Sequence, residues 1–202
     1  MTRPARANRV QDIDPRILRS RQRILEAALE ELGEVGYGAF AIEKVAARAG
    51  VAKSTLYRHW HGKLDLVADA FHTLHQQAAP DLASGSARER VERVIRHVAE
   101  VVRDSPFSRC IPALIDAAER TAEIRDFHHR FQREARRPLE RLIAEGAAAG
   151  DFDPALDPSL LAAALLGVIF YHRLMTGEAL RPERAAELVT VLLARSSSRR
   201  RG

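Results

Sequence analysis

The chain has 202 residues, of which 46% are hydrophobic and 29% are charged, so we expect one or two soluble globular domains. A single cysteine excludes an intrachain disulfide and a metal site built from cysteines. The net charge of +5 is uneven, because residues 1–65 carry +4, residues 66–198 carry −2 and arginines 199–201 add +3. A basic front on a nearly neutral body favours a polyanionic partner, although a basic leader on an ordinary domain explains the charge as well.

Apolar residues recur at helical spacing along nearly the whole chain, and no stretch alternates with the period of a strand, so we predict an all-α fold. Predicted helices cover 17–36, 43–49, 53–60, 63–77, 87–104, a segment after Pro106, 122–145, 159–176 and 182–195. Turn formers near 80–86 and 146–158 separate them, and Pro138 is expected to kink the helix over 122–145. No uninterrupted apolar run has the length of a membrane helix and no secretory signal is apparent, so we expect a cytoplasmic protein without a membrane partner.

Residues 42–62 contain the most specific motif of the chain. Two short predicted helices are separated by the turn at 49–52, where Gly50 can adopt the positive φ of a tight corner. Val45 and Val51 are spaced to hold the first of these helices against the second. This layout predicts a helix-turn-helix, whose second helix enters the major groove of DNA.

The second helix of the motif has one apolar and one polar side. Leu56 and Trp60 lie four residues apart on the side predicted to be buried. The other side has the hydrogen-bond donors that a DNA-reading helix needs, although a polar surface turn between two core helices has a similar composition. The candidate DNA-binding residues are Lys53, Ser54, Thr55, Tyr57, Arg58 and His59, together with Lys63 at the start of the next helix.

Residues 17–77 resemble the DNA-binding domain of the TetR (tetracycline-repressor-like) family of transcriptional regulators. The matching residues are Gly36-Tyr37, residues 45–51, residues 55–60, Lys63 and Leu66. The resemblance implies a homodimer that binds a double-stranded DNA operator, with a C-terminal half that binds a small effector and dimerises through its last two long helices. It also implies contacts to bases or the adjoining backbone from Lys53, Ser54, Thr55 and Arg58, and contacts to phosphates from Tyr57, His59 and Lys63.

Two positions depart from the family's common pattern. Many members have Thr or Ser where this chain has Phe40-Ala41 before the first motif helix, and many have Ser where it has Ala52 before the second. Such hydroxyls cap helices, and losing a cap costs about 0.5–2 kcal/mol. We therefore expect the fold to be kept and one phosphate contact to be lost.

These observations predict four parts. They are a flexible basic leader (1–16), a helix-turn-helix DNA-binding domain of three helices (17–77), a helical effector-binding and dimerisation domain (86–195) and a flexible tail (196–202). The leader carries Arg3, Arg6 and Arg9, which suggest an arm that reaches the minor groove, although a tail without a role fits equally.

The body has the composition of an apolar pocket with a few polar groups, although a packed core without a ligand has the same composition. The candidate effector-binding residues are Phe107, Cys110, Ile111, Leu114, Phe127, His128, Phe131, Tyr171 and His172. Cys110 is more simply a core residue than a redox sensor. The pairs His72/His75 and His128/His129 have spacings that allow metal binding but are more typical of ordinary histidines, so we predict no metal and no cofactor.

Residues 159–176 are too apolar to be buried within one small domain, and with 182–195 they predict a four-helix homodimer interface. A two-fold dimer reads a near-palindromic operator, and we expect a repressor that an effector releases, although an activator or a regulator without a ligand fits the same sequence. A sequence-nonspecific architectural DNA-binding protein and a helical small-molecule-binding protein are the alternatives. No catalytic motif is present, so we do not expect an enzyme.

Overall fold

The computed structural model describes residues 15–76 and 80–193, and within these ranges every regular element is a helix, which confirms the predicted all-α fold. The leader up to residue 14 and the tail 196–202, with the arginines discussed above, lie outside the described residues. The elements are α1 (Pro15–Ala39), α2 (Ile42–Ala49), α3 (Lys53–His59), α4 (Lys63–Gln76), α5 (Ala87–Asp104), α6 (Phe107–Arg120), α7 (Ala122–Ala149), α8 (Pro158–Tyr171), one π-helical turn (His172–Thr176) and α9 (Pro182–Leu192).

Helix α1 is the support on which the helix-turn-helix rests. Its apolar stripe, which includes Ile24, Leu29 and Leu32, is buried in one core with α2 and α4. The helix is interrupted at Gly36, whose φ of 72° and ψ of 168° only glycine adopts readily. This break turns the chain toward Phe40, which is buried at the start of the motif.

The core that holds the helix-turn-helix extends past the predicted domain junction. It includes Cys110 and Leu114 from α6, and Phe127 and Phe131 from the first half of α7. A Cβ added to Gly33 of α1 would lie only 3.2 Å from the Cβ of Arg109, so α1 and α6 cross closely at this point. Helices α1, α2, α3 and α4 are thus packed on part of the body rather than connected to it by a linker alone.

A second core joins α5, the rest of α7, α8 and α9. Helix α7 contains Pro138 and continues to Ala149, so residues 146–149 are helical where a turn-rich connection is predicted. Gly146 lies inside this helix, and its missing side chain makes room for the buried ring of Phe152. The helix ends one turn later, at Gly150, with a φ of 81°.

Helix α8 leaves one apolar side uncovered in the single chain. Leu160 and Tyr171 are 68% and 60% exposed, and Met175 in the π-helical turn is 73% exposed. Pro158–Thr176 is also long and apolar enough, by length and composition alone, to cross a membrane, a test that the core helix of a soluble protein passes as well. Arg173 of the π-helical turn donates through Nε to Ser108 Oγ (2.5 Å) and through Nη2 to Ser108 O (3.2 Å), which ties the end of this segment to α6.

Candidate functional site

The turn between α2 and α3 has the geometry that the motif predicts. Gly50 is left-handed (φ 66°, ψ 39°), and its N–H bonds to the carbonyls of Ala46 and Ala47 at the end of α2. Leu56 and Trp60 are buried, so α3 turns its opposite side to solvent. The indole Nε1 of Trp60 donates to Asp69 Oδ2 on α4 at 3.0 Å, which fixes the end of α3.

Ion pairs with α1 hold α2 in place. The guanidinium of Arg48 lies 2.6 Å from a carboxylate oxygen of Glu34, 3.3 Å from Glu31 and 3.4 Å from Glu30. The hydrogen bond from Arg48 lowers the pKa of Glu34. Arg48 therefore has a structural role, and its positive charge is already compensated within the protein.

Both motif helices begin without a side-chain cap. Ala41 precedes α2 and Ala52 precedes α3, and neither forms a cap hydrogen bond through its side chain. The first N–H groups of α3 next to Lys53 consequently have no hydroxyl as an acceptor from the residue before the helix. The two caps are therefore missing as the departures at these positions predict, and the lost phosphate contact stays a prediction.

The outward side of α3 presents several donors that have no hydrogen-bond acceptor among the described residues. Lys53, Ser54 and Arg58 are exposed, and within the described residues none of them has a hydrogen bond or an ion pair. Thr55 is half-buried, and His59 is exposed with its ring edge-on to Trp60. These donors lie within two turns of one short helix, as a helix that contacts base edges requires.

Tyr57 and Lys63, for which phosphate contacts are predicted, have acceptors within the chain. The phenol of Tyr57 donates to Glu43 Oε1 at 3.0 Å, and this hydrogen bond raises the pKa of Tyr57. The ammonium of Lys63 donates to the carbonyl of Tyr37 at 3.1 Å and lies 4.3 Å from the centre of its ring. Sequence reasoning missed Glu43, which is exposed on α2. Its signal is that it is the one acidic residue of the motif over 42–62.

The described candidate effector-binding residues are distributed between the interior, mostly the core shared with the helix-turn-helix, and the surface. Cys110, Leu114, Phe127 and Phe131 are buried in the core shared with the helix-turn-helix, and Ile111 is buried as well. Tyr171 is exposed and His172 is half-buried. His128 is half-buried on α7, and burial lowers its pKa. Phe107 begins α6, and its side chain lies outside the described residues.

Cys110 has the environment of a structural thiol. Its Sγ donates to the carbonyl of Leu29 on α1 at 3.0 Å, and the residue is fully buried. Burial raises the pKa of this thiol to about 12. A neutral buried thiol is unreactive, so the geometry supports a core role rather than redox sensing.

A cavity of about 180 Å³ lies among α5, α7 and α8, and one candidate residue, Phe131, is part of its wall. Most of the wall is apolar, and the polar groups are His97, Gln132 and Arg136. The described lining residues are Pro80, Leu82, Val94, His97, Val98, Val101, Val102, Phe131, Gln132, Ala135, Arg136, Pro138, Leu139, Leu166 and Phe170. Sequence reasoning missed most of them, because the stripe on α5 has the same composition whether it borders a cavity or a packed neighbour.

The cavity is connected to the DNA-binding helices in two ways. Phe131 is edge-on to Phe71 of α4, with ring centroids 5.6 Å apart. Pro80 and Leu82 belong to the segment between α4 and α5, and they close part of the cavity. Arg93 of α5 fastens this segment by donating to the carbonyls of Asp81 (2.9 Å) and Ser84.

No group of three or more His, Cys, Asp or Glu side chains in residues 15–76 and 80–193 is placed to hold a metal ion. The side chain of His75 is not among those described.

Comparison with known proteins gives the chain a family. The family model "Bacterial regulatory proteins, tetR family" matches residues 24–70, and the model "Tetracyclin repressor-like, C-terminal domain" matches residues 79–192. The HTH-type transcriptional regulator YdeS of Bacillus subtilis is 29% identical over 180 residues, which cover 87% of this chain and 88% of the relative.

Solved structures show the same architecture. The TetR family transcription regulator SCO0332 is 27% identical with a TM-score of 0.65, over 86% of this chain and 96% of that one. The transcriptional regulator FadR of Bacillus subtilis, solved in complex with stearoyl-CoA, has a TM-score of 0.70 at 21% identity, over 86% of this chain and 97% of that one. With family models that match both halves, the chain belongs to the tetracycline-repressor-like (TetR) family of bacterial DNA-binding transcriptional regulators.

Proposed function

We propose that this regulator is a cytoplasmic homodimeric repressor that reads one operator half-site with α3 of each protomer. The observation that carries the proposal is the set of donors on the outward side of α3: among the described residues Lys53, Ser54 and Arg58 are exposed without a hydrogen bond or an ion pair, while Leu56 and Trp60 anchor the opposite side. Arg58 then donates to base edges, with Lys53, Ser54 and Thr55 on bases or the adjoining backbone. Tyr57, His59 and Lys63 contact phosphates.

The exposed apolar side of α8 supports dimerisation. Leu160, Gly167 and Tyr171 follow one another at helical spacing on this side, and Val191 of α9 adds another apolar side chain that is 72% exposed. Among the described residues, no atom lies within 4 Å of the position that a Cβ would take at Gly167, so a second helix can approach its backbone closely. Two such pairs of helices form an isologous four-helix interface.

The cavity supports an effector site. Its wall is mostly apolar with a few polar groups, which is the pattern of small-molecule pockets. Its volume of about 180 Å³ is below the range of about 300–1,000 Å³ for drug-sized ligands, so the effector is small or enlarges the cavity. An effector there touches Phe131 and the segment with Leu82, and both lead to α4. Such an effector favours a dimer with a different spacing of the two α3 helices, which releases the operator.

The test is binding of the full chain to DNA from its own promoter and to a scrambled duplex, by fluorescence anisotropy at two salt concentrations. A specific regulator prefers the promoter DNA, typically by about 10³-fold or more, whereas an architectural protein binds both alike. Equal affinity for the two duplexes would contradict the proposal.

Two variants separate the roles of α3 and α4. Arg58→Ala should remove most discrimination between the promoter and the scrambled duplex, because a bidentate contact to a base contributes about 1–3 kcal/mol. Lys63→Ala should weaken binding to both duplexes alike and lower the salt dependence by about one phosphate contact. Thermal melting of each variant checks the fold, since Lys63 also bonds to Tyr37. Loss of discrimination in Lys63→Ala, with equal weakening on both duplexes in Arg58→Ala, would contradict this assignment of roles.

A further inference from the structure

The polar groups of the cavity are all hydrogen-bond donors or can act as donors, and none of the described lining residues is acidic. His97 projects from α5, and Gln132 and Arg136 lie one turn apart on α7, so the last two share a side of that helix. A guanidinium has five N–H donors and no acceptor. The cavity is therefore suited to a ligand that brings acceptors.

The guanidinium of Arg136 is only partly used within the protein. Its Nε donates to Glu140 Oε1 at 2.7 Å, one turn further along α7, and Glu140 is not among the lining residues. The two Nη groups have no hydrogen bond or ion pair among the described residues, and the side chain is 36% exposed. His97 likewise has no hydrogen bond in this part of the chain, and Gln132 has a weak one to His128, at 3.4 Å.

Filling the cavity with an uncharged apolar molecule would remove water from these Nη groups without replacing its hydrogen bonds, which is unfavourable. A cationic ligand would meet the guanidinium of Arg136, whose paired carboxylate, Glu140, does not line the cavity. A carboxylate accepts two parallel hydrogen bonds from a guanidinium, and its charge has the right sign.

The volume limits the rest of the ligand. An apolar cavity of about 150 Å³ holds one benzene molecule, which has six non-hydrogen atoms, so about 180 Å³ accommodates an apolar body of roughly seven, with the carboxylate at the partly exposed Arg136. We propose that the effector of this regulator is a small monocarboxylic acid with a phenyl or short alkyl body, bound as its anion to the Nη groups of Arg136 with the body against the apolar wall. This inference rests on the proposed effector role of the cavity.

The test is isothermal titration calorimetry of the full chain at pH 7.5 with phenylacetate and hexanoate, each compared with its amide and with the corresponding amine. The acids should bind at least tenfold more tightly than their amides, and the amines should not bind measurably. Amides that bind as tightly as the acids, preferential binding of an amine, or no binding by either acid would overturn the assignment.

Arg136→Gln should abolish the preference for acid over amide. Arg137→Gln is the matched control, because Arg137 is the adjacent arginine of α7 and does not line the cavity. Since Arg136→Gln leaves Glu140 without its partner, Arg136→Gln/Glu140→Gln repeats the test with the net charge kept. Acid binding that is unchanged in both Arg136 variants would overturn the role of this residue.

Release of promoter DNA separates this inference from the proposed effector role. Acids that bind in an Arg136-dependent way without releasing DNA leave the ligand class intact and contradict the effector role. Release of DNA by the amides, blocked by Val98→Phe in the cavity wall, supports the effector role and overturns the ligand class.

Discussion

Glu43 adds an anion to the surface that we propose contacts DNA. It accepts a hydrogen bond from Tyr57, and the bond from its own backbone N–H, together with this one, lowers the pKa of its carboxyl. The carboxylate therefore stays charged at neutral pH and repels phosphates nearby. The phenol has a single proton, so Tyr57 cannot donate to Glu43 and to a phosphate at the same time.

Glu43→Gln should increase the affinity for promoter and scrambled DNA alike, by about 1 kcal/mol or roughly fivefold, because one repulsive charge is lost and a neutral amide accepts a weaker hydrogen bond from Tyr57. Fluorescence anisotropy at low salt measures the change, and Glu119→Gln, an exposed acidic residue on α6, is the charge-matched control. Unchanged or weaker binding by Glu43→Gln would contradict this role.

The thiol of Cys110 should be inert in the folded protein. Because burial raises its pKa to about 12, the reactive thiolate is a minor form below that pH in the folded chain. Labelling with a thiol-specific disulfide reagent at pH 8 should be slow in buffer and should reach one thiol per chain in guanidinium chloride. Fast labelling of the folded protein would show that the thiol is accessible and would restore redox sensing as a hypothesis.

At the scale of elements, Gly146 allows the ring of Phe152, in the turn after α7, to pack directly against the backbone of this helix. A Cβ at this position would lie 2.2 Å from the ring of Phe152 and 2.9 Å from the Cβ of Ala87. Alanine favours a helix over glycine by about 1 kcal/mol, but this gain is smaller than the expected cost of displacing a buried ring.

Gly146→Ala should therefore lower the free energy of unfolding by about 1–3 kcal/mol, measured by chemical denaturation at a fixed protein concentration. Phe152→Leu, combined with Gly146→Ala, should recover part of the loss, because the smaller side chain makes room. Gly38→Ala is the control, since no described atom lies within 4 Å of its Cβ position. A stability of Gly146→Ala at or above that of the parent would show that the ring moves away freely.

The helix-turn-helix was predictable from sequence because its determinants lie close together in the chain. The turn at Gly50 and the buried pair Leu56 and Trp60 all fall within eleven residues, and the structure confirms each of them. The cavity was not predictable in the same way. The apolar stripes of α5 and α6 look alike in sequence, yet Val98 borders the cavity while Leu114 packs in the core below α1, since contacts between distant helices decide which stripe stays open.

At the scale of the whole molecule, the exposed apolar side of α8 and α9 should hold two protomers together. Leu160→Glu/Val191→Glu should give a particle near the chain mass of 22.5 kDa in light scattering coupled to size-exclusion chromatography, where the parent gives about twice that mass. A charge buried at such an interface is strongly unfavourable.

The same double variant should lose most affinity for promoter DNA, because a monomer engages one half-site at a time. Leu18→Glu is the control for the oligomeric state, because Leu18 is an exposed apolar residue of α1. A dimeric Leu160→Glu/Val191→Glu protein would place the interface elsewhere on the molecule.

The shared core also determines how this protein can be rebuilt. Cys110 and Leu114 on α6, with Phe127 on α7, cover the apolar side of the DNA-binding helices. Consider a hybrid protein that joins residues 1–80 of this chain to the C-terminal domain of a relative. It would keep the α1–α4 side of that core but replace the side that α6 and α7 provide. A functional hybrid should therefore keep the residues of α6 and of the first turns of α7 that face α1, together with helices α1 to α4. The unit that can be exchanged between relatives is thus not one continuous stretch of sequence.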